Sequence, residues 1–267
     1  MAEPTELTRR MTADLARLVA GPASAARLNA ALRMLAKWRA ELLANTLARR
    51  QGTRIAAGPF AGMEYSVRAA EGARVVRMLG AYEPGLDPVI ETIIARAYPL
   101  VIDIGCAEGF YAVGLARRMA QTRVLARDIS DRAQARCLAL ARANGVADRI
   151  EIGGQVLHGD FAICADQPSV VICDIEGAEA DLLDPVAAPG LLGADILVEL
   201  HPAAEPDLVE VMQRRFAPSH RITRIDRALA PERLPAWAEE MSDLDRLLCL
   251  WEWRMGPTPW LWMERAA

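Results

Sequence analysis

From Leu100 onward the chain alternates short apolar runs with helical segments, and no other feature limits its fold so sharply. L-V-I-D-I (100–104) leads into a helix from Phe110 to about Ala120. T-R-V-L-A-R (122–127) leads into a second, from Asp131 to Ala143, which Asn144-Gly145 closes. R-I-E-I (149–152), S-V-V-I-C-D (169–174) and D-I-L-V-E-L (195–200) continue the series. Strands that are apolar along their whole length are buried on both faces, and the intervening helices supply the cover. Residues 205–216 read as a further helix, with R-I-T-R-I-D (221–226) and L-L-C-L-W-E-W (247–253) as the last two strands. The expected fold is α/β and Rossmann-like: seven strands, mostly parallel, with helices on both faces.

Upstream, residues 1–57 read as an N-terminal helical extension and 58–267 as the main domain. Leu28, Leu32, Leu35, Leu42 and Leu43 recur at roughly helical spacing, and Gly21-Pro22 splits the segment into two helices. β-like runs around Gly58-Pro59 predict a hairpin within 52–68, and a helix is expected from Asp87 to Ala97. With 52% hydrophobic and 25% charged residues among 267, the chain can bury a full core. Its net charge is −4, and its basic residues are scattered and almost all arginine, so no nucleic-acid partner is expected. Five cysteines without a C-x-x-C pair read as buried thiols in a reducing compartment. Without a signal-peptide core or a membrane-length apolar run, the expected location is the cytoplasm, away from membranes.

The chemistry concentrates at V-I-D-I-G-C-A-E-G-F-Y, where a strand enters a glycine turn and then a helix. Open α/β sheets bind ligands at the carboxyl ends of their strands. Gly105 tolerates positive φ and close ligand approach, and Gly109 permits tight packing at the helix entry. A dinucleotide turn would read G-x-G-x-x-G and place amides on a pyrophosphate. This one reads D-x-G-x-x-x-G, with Asp103 and Glu108 beside it. Acids repel a pyrophosphate but suit a ligand that carries an ammonium and a sulfonium, such as S-adenosylmethionine. The expected cofactor contacts are Asp103, Gly105, Cys106, Ala107, Glu108 and Gly109, with Phe110 and Tyr111 at the helix entry. Asp128, at the end of the second strand with Ile129 beside it, has the spacing of an acid that accepts from ribose hydroxyls. Asp160 and Phe161, after the third strand, are placed for the adenine amine and ring. Tyr82 and Glu83 are placed to close over the methionine end.

These residues carry a resemblance. D-I-G-C-A-E-G-F-Y-A-V-G-L-A resembles motif I of class I methyltransferases. V-I-C-D-I-E-G-A-E (171–179), followed by L-V-E-L-H (197–201), resembles the FkbM family, in which an I-D-x-E-G-A-E strand end precedes a strand ending in E-x-H. P-F-A-G-M and L-G-A-Y-E add to the likeness, which spans roughly 58–263. The resemblance implies a class I methyltransferase fold with Gly105 to Gly109 around the methionine end, Asp128 on the ribose and Asp174 beside the methyl group. R-D-I-S after the second strand departs from the family's aromatic-acid-Pro pattern, and the N-terminal helices are not a general family feature.

Methyl transfer is a displacement at an activated carbon, so the protein must position an acceptor and take its proton. Asp174, Glu176 and His201, at the ends of the fourth and fifth strands, are the catalytic candidates. Glu179 is assigned to the first turn of the next helix, where acids complement the dipole. Asp174, Glu199 and His201 also have the chemistry of a Mg²⁺ or Mn²⁺ site, a reading not favoured over a metal-free one. His158 and His220 are read as structural. The aromatic tail around Trp251, Trp253, Trp260 and Trp262 is read as a core strand followed by a packed segment. The expected activity is O-methylation of a small hydroxylated metabolite, of sugar or natural-product type. N-methylation of an amine, a nicotinamide oxidoreductase and a silent binding scaffold are the alternatives. The helical N-terminus is compatible with a homodimer.

Overall fold

A computed structural model describes residues 3, 5–69, 72–203 and 206–266. The five expected strands from 100 to 200 form as β1 (Leu100–Ile104), β2 (Arg123–Arg127), β3 (Ile150–Gly153), β4 (Ser169–Cys173) and β5 (Ala194–Glu199). They pair in parallel, and β6 (His220–Ile225) and β7 (Trp260–Arg265) extend the sheet to the order β3-β2-β1-β4-β5-β7-β6, with β7 antiparallel to both its neighbours. Every residue of β1, β4 and β5 is buried, as their unbroken apolar runs require. Each fully buried Val, Leu or Ile there contributes about 1.5–3 kcal/mol. The fold is the Rossmann-like one expected, and it carries an N-terminal helical segment.

One face of the sheet is covered by α5 (Phe110–Arg118) and α6 (Asp131–Ala143), together with α3 (Arg74–Leu79), α4 (Asp87–Arg96) and the end of α2 (Ala25–Gln51). The other face packs against α8 (Leu208–Phe216) and the 3₁₀ segments at 158–165 and 189–193, with α7 (Glu179–Leu182) alongside. The expected helix at 205–216 thus begins at Leu208, and residue 205 lies outside the described residues. Among the described residues, no helix is long and apolar enough to cross a membrane. All five cysteines are buried and free.

Two expectations change. L-L-C-L-W-E-W is not a strand: α9 (Asp243–Cys249) takes its first half, because Ser242 caps the helix and Asp245 anchors it through both oxygens to Arg39 at 2.7 and 2.6 Å. The seventh strand is W-L-W-M-E-R, in the segment expected to pack as a tail. Its five leading residues are buried because β5 and β6 flank it on both edges. The N-terminal leucine stripe also divides. α1 (Glu6–Val19) buries no residue, Leu28 and Leu32 of α2 are exposed, and apart from Ala31 the buried residues of α2 lie at its end, Ala40 to Leu47. The hairpin within 52–68 forms as a single Arg54–Glu64 bridge.

Candidate active site

The turn after β1 is held open by backbone geometry. Gly105, Ala107 and Gly109 have φ of 78°, 49° and 89°. A Cβ on Gly105 would lie 1.6 Å from the Asp174 carbonyl oxygen, so the turn presses against the end of β4. The Gly105 and Cys106 amides both donate to the Arg127 carbonyl, at 2.8 and 3.0 Å. Asp128, at the end of β2, accepts from the Ala107 amide at 3.0 Å with one oxygen and from the Ser130 amide at 2.8 Å with the other. It therefore joins the turn to the start of α6, and each oxygen keeps a lone pair for a further donor. Ile129 beside it is 84% exposed.

The acids of the turn point elsewhere. Asp103 is buried and accepts from the Ala112 amide at 2.9 Å, and burial pushes its carboxyl up to about 7. Glu108 is wholly enclosed, accepts from the Tyr65 hydroxyl at 2.5 Å and pairs with buried Arg77 at 3.2 Å. Its expected contact with a ligand at the turn is therefore corrected: it ties the turn to α3 and the 53–65 hairpin. Phe161 is corrected for the same reason, since its ring has no exposed surface and packs in the core behind β4 and β5. Asp160 stays exposed and accepts from the Leu157 amide at 2.8 Å. Cys106 is buried, and Phe110 sits edge-on to Phe60, Tyr65, Tyr82 and Tyr111.

A buried charge network adjoins the turn. The Arg254 guanidinium donates to Glu83, to Glu199 and, at 2.7 Å, to Glu252. Glu83 also accepts from the Tyr111 hydroxyl and, at 3.2 Å, from the Trp260 indole. One cation thus serves three carboxylates, each side chain 3% exposed. Burial and then the neighbouring Glu199 lift Glu83 to about 7, against the pull of Arg254. Asp174, at the end of β4, is raised well above the carboxylate range by burial, then by Glu199 and Glu83, and its Oδ1 is buried without a partner. No local sequence pattern marks Arg254, which lies in the irregular segment between α9 and β7.

Beyond β5, His201 closes the site. Its Nε2 lies 3.3 Å from Glu176 and 3.8 Å from Asp174, so the three catalytic candidates do converge. Its Nδ1 lies 2.8 Å from Glu179 Oε1, which also accepts from the Gly177 amide at 3.1 Å. Glu179 does open α7, as expected, but its fully buried carboxylate faces the imidazole. Burial works against charge on His201, yet Glu179, Glu199 and Glu176 outweigh it and its pKa is raised. His158 and His220 bond the carbonyls of Asp181 and Ala194 at 2.8 and 2.9 Å, as structural residues do. Among the described residues, the ligating group that forms is Asp174, Glu179 and His201, with donor atoms within 4.8 Å of one another. Glu199 of the expected metal set is held by Arg254 instead, and the Glu179–His201 contact is a hydrogen bond, so these side chains do not fit a metal as they stand.

No protein-family model matches the sequence, and no curated protein matches it. In structure the chain is similar to cofactor-bound Rv0187 from MTB, at 14% identity over 99% of this chain and 100% of that one, with a TM-score of 0.46. It is similar to the O-methyltransferase from Bacillus cereus in complex with SAH, at 11% identity over 64% and 77% of the two chains, TM-score 0.41. It is also similar to the ribosomal protein L11 methylase from Lactobacillus delbrueckii subsp. bulgaricus, at 18% identity over 74% and 82%, TM-score 0.43.

Proposed function

We propose that the chain is an S-adenosylmethionine-dependent methyltransferase of FkbM type that methylates a hydroxyl of a small molecule. The observation that carries this reading is the carboxyl edge of β1, β4 and β5. There a positive-φ glycine turn abuts Asp174, whose carboxyl and that of Glu176 face His201, next to three buried carboxylates that share one arginine. Buried carboxyls whose ionisation is suppressed for want of cations favour a cationic ligand, beside which they can ionise. The sulfonium and ammonium of S-adenosylmethionine supply that charge, and Asp174 Oδ1, buried with no hydrogen bond, is an acceptor still to be satisfied.

The residues fit the cofactor in part. The amides and glycines of 105–109 would hold the methionine end, with Tyr82 and Glu83 beyond. Asp128 would accept from the ribose through its remaining lone pairs, and exposed Ile129 would cover the adenine in place of Phe161. The bound cofactor supplies an electrophilic methyl group. His201 accepts the acceptor's proton at Nε2, and Asp174 and Glu176 orient the acceptor. A second reading, methylation of an amine, is favoured by the same partnerless Asp174 oxygen, for which an ammonium is a natural counterion.

The test is calorimetric titration with S-adenosylhomocysteine, beside an Asp128→Ala variant. Binding that weakens sharply in the variant is expected. A folded wild-type protein that takes up no ligand refutes the reading.

A further inference from the structure

The proton inventory of the β4–β5 edge goes beyond naming a base. A neutral imidazole carries its proton on one ring nitrogen and a lone pair on the other, and only the lone pair accepts. We propose that Glu179 is the positioning residue that fixes the His201 proton on Nδ1 and so presents the Nε2 lone pair to the gap beside Asp174 and Glu176. The inference rests on the functional reading above.

Three observations support it. Glu179 is fully enclosed, and its Oε1 meets His201 Nδ1 at 2.8 Å. Burial alone would raise the Glu179 carboxyl, but the His201 bond and the backbone amides, Gly177 among them, hold it below its ordinary value. It is therefore an ionised acceptor, and Nδ1 must be the donor. Finally, His201 keeps only 14% of its side-chain surface exposed, and Nε2 faces the carboxylates of Glu176 and Asp174. The charged groups around the ring are Glu179 from α7, Asp174 and Glu176 from the loop after β4, and Glu199 from β5, itself paired with Arg254.

In the transfer step the acceptor O–H proton passes to Nε2 and the oxygen bonds the methyl carbon. S-adenosylmethionine, when bound, would supply the methyl carbon and keep the departing carbon–sulfur electron pair, and the proton would rest on an imidazolium stabilised by Glu179. The proton then leaves by way of Glu176, whose side chain is 63% exposed.

The chain has three histidines, so ¹⁵N-resolved imidazole spectra can be assigned with His158→Gln and His220→Gln. Wild-type His201, when neutral, is expected to show the Nδ1–H tautomer. Glu179→Gln keeps an acceptor for Nδ1 but removes the charge, so the His201 titration and the acid limb of the kcat profile shift together to lower pH. Glu179→Leu removes the acceptor as well: the tautomer preference disappears and kcat falls by about 10²-fold or more, with KM little changed. A wild-type Nε2–H tautomer overturns the proposal even if neither variant folds. So does an unmoved His201 titration in folded Glu179→Gln. Failure of S-adenosylhomocysteine to bind wild-type protein with the expected tautomer overturns the methyltransferase reading instead.

Discussion

Replacing Gly105 by alanine tests whether the turn after β1 is built against the end of β4. Two penalties combine. A φ of 78° costs a residue with a Cβ about 1–2 kcal/mol. The new methyl would also stand 1.6 Å from the Asp174 carbonyl oxygen, which belongs to backbone and cannot swing aside. Relief requires parting the turn from β4, which strains the 2.9 Å bond from the Asp174 amide to the Ile104 carbonyl. Overpacking of this kind costs about 1–3 kcal/mol, and a lost hydrogen bond adds about 1 kcal/mol. The total is about 3–6 kcal/mol, and at roughly 2–4 °C per kcal/mol for a chain of this size Tm falls by at least about 6 °C. Gly145→Ala is the control: its φ is 68°, but nothing lies within 4 Å of the added Cβ. It carries the φ penalty alone, about 1–2 kcal/mol. Urea and thermal melts of both variants, with a S-adenosylhomocysteine titration of each, read the difference. Equal losses in the two would mean that the turn and β4 are not in contact, and the assembly of the site would have to be reconsidered.

Glu108→Ala is expected to destabilise by about 1–3 kcal/mol, because it removes the buried carboxylate that accepts from Tyr65 and pairs with Arg77; normal stability with lost cofactor binding would restore Glu108 to the ligand. Asp103→Asn should change the pH dependence of stability. The folded carboxyl keeps its proton to about 7 against an ordinary 3.8, so its contribution is full below 3.8 and declines by about 3–4 kcal/mol as pH rises to 7. Urea midpoints at pH 5 and pH 8 should lie closer together in the variant than in wild type; an unchanged spacing contradicts the burial account. Arg254→Met leaves Glu83, Glu199 and Glu252 without their cation, and the loss should be larger at pH 8 than at pH 5, where the acids can take up protons. A pH-independent loss in thermal melts would assign Arg254 a packing role only.

The fold was legible where burial is two-sided. β1, β4 and β5 declare themselves because strands covered on both faces need apolar residues at every position, and their bounds were placed within a residue. The seventh strand was misplaced because L-L-C-L and W-L-W-M are equally apolar over four residues, a length at which periodicity does not separate helix from strand. What distinguishes them is tertiary: Arg39, some two hundred residues away, grips Asp245 and steadies α9, while β5 and β6 claim Trp260 to Arg265. Leu28 and Leu32 show the opposite failure, a helical stripe correctly read but not buried in this chain.

The candidate site divides along the same line. Residues placed by the local chain stand where the sequence puts them in the fold: the glycine turn, Asp128 at the end of β2, and Asp174 and His201 just past neighbouring strand ends. Their direction follows from sheet topology, since parallel neighbours deliver their carboxyl ends to one edge. Residues whose contacts depend on a distant partner are not legible in the local sequence. Glu108 looked like a ligand contact because the sequence does not announce that Tyr65 and Arg77 enclose it. Glu179 looked like an ordinary helix-opening acid, although its carboxylate ends on an imidazole from another strand. Arg254 carried no signal at all, yet it is the cation around which Glu83, Glu199 and Glu252 gather. Such a charge, excluded from water and incompletely balanced, exists only once the chain has folded. The carboxyl edge is therefore where the folded protein can pair a positive ligand with acids that the unfolded chain leaves solvated and apart.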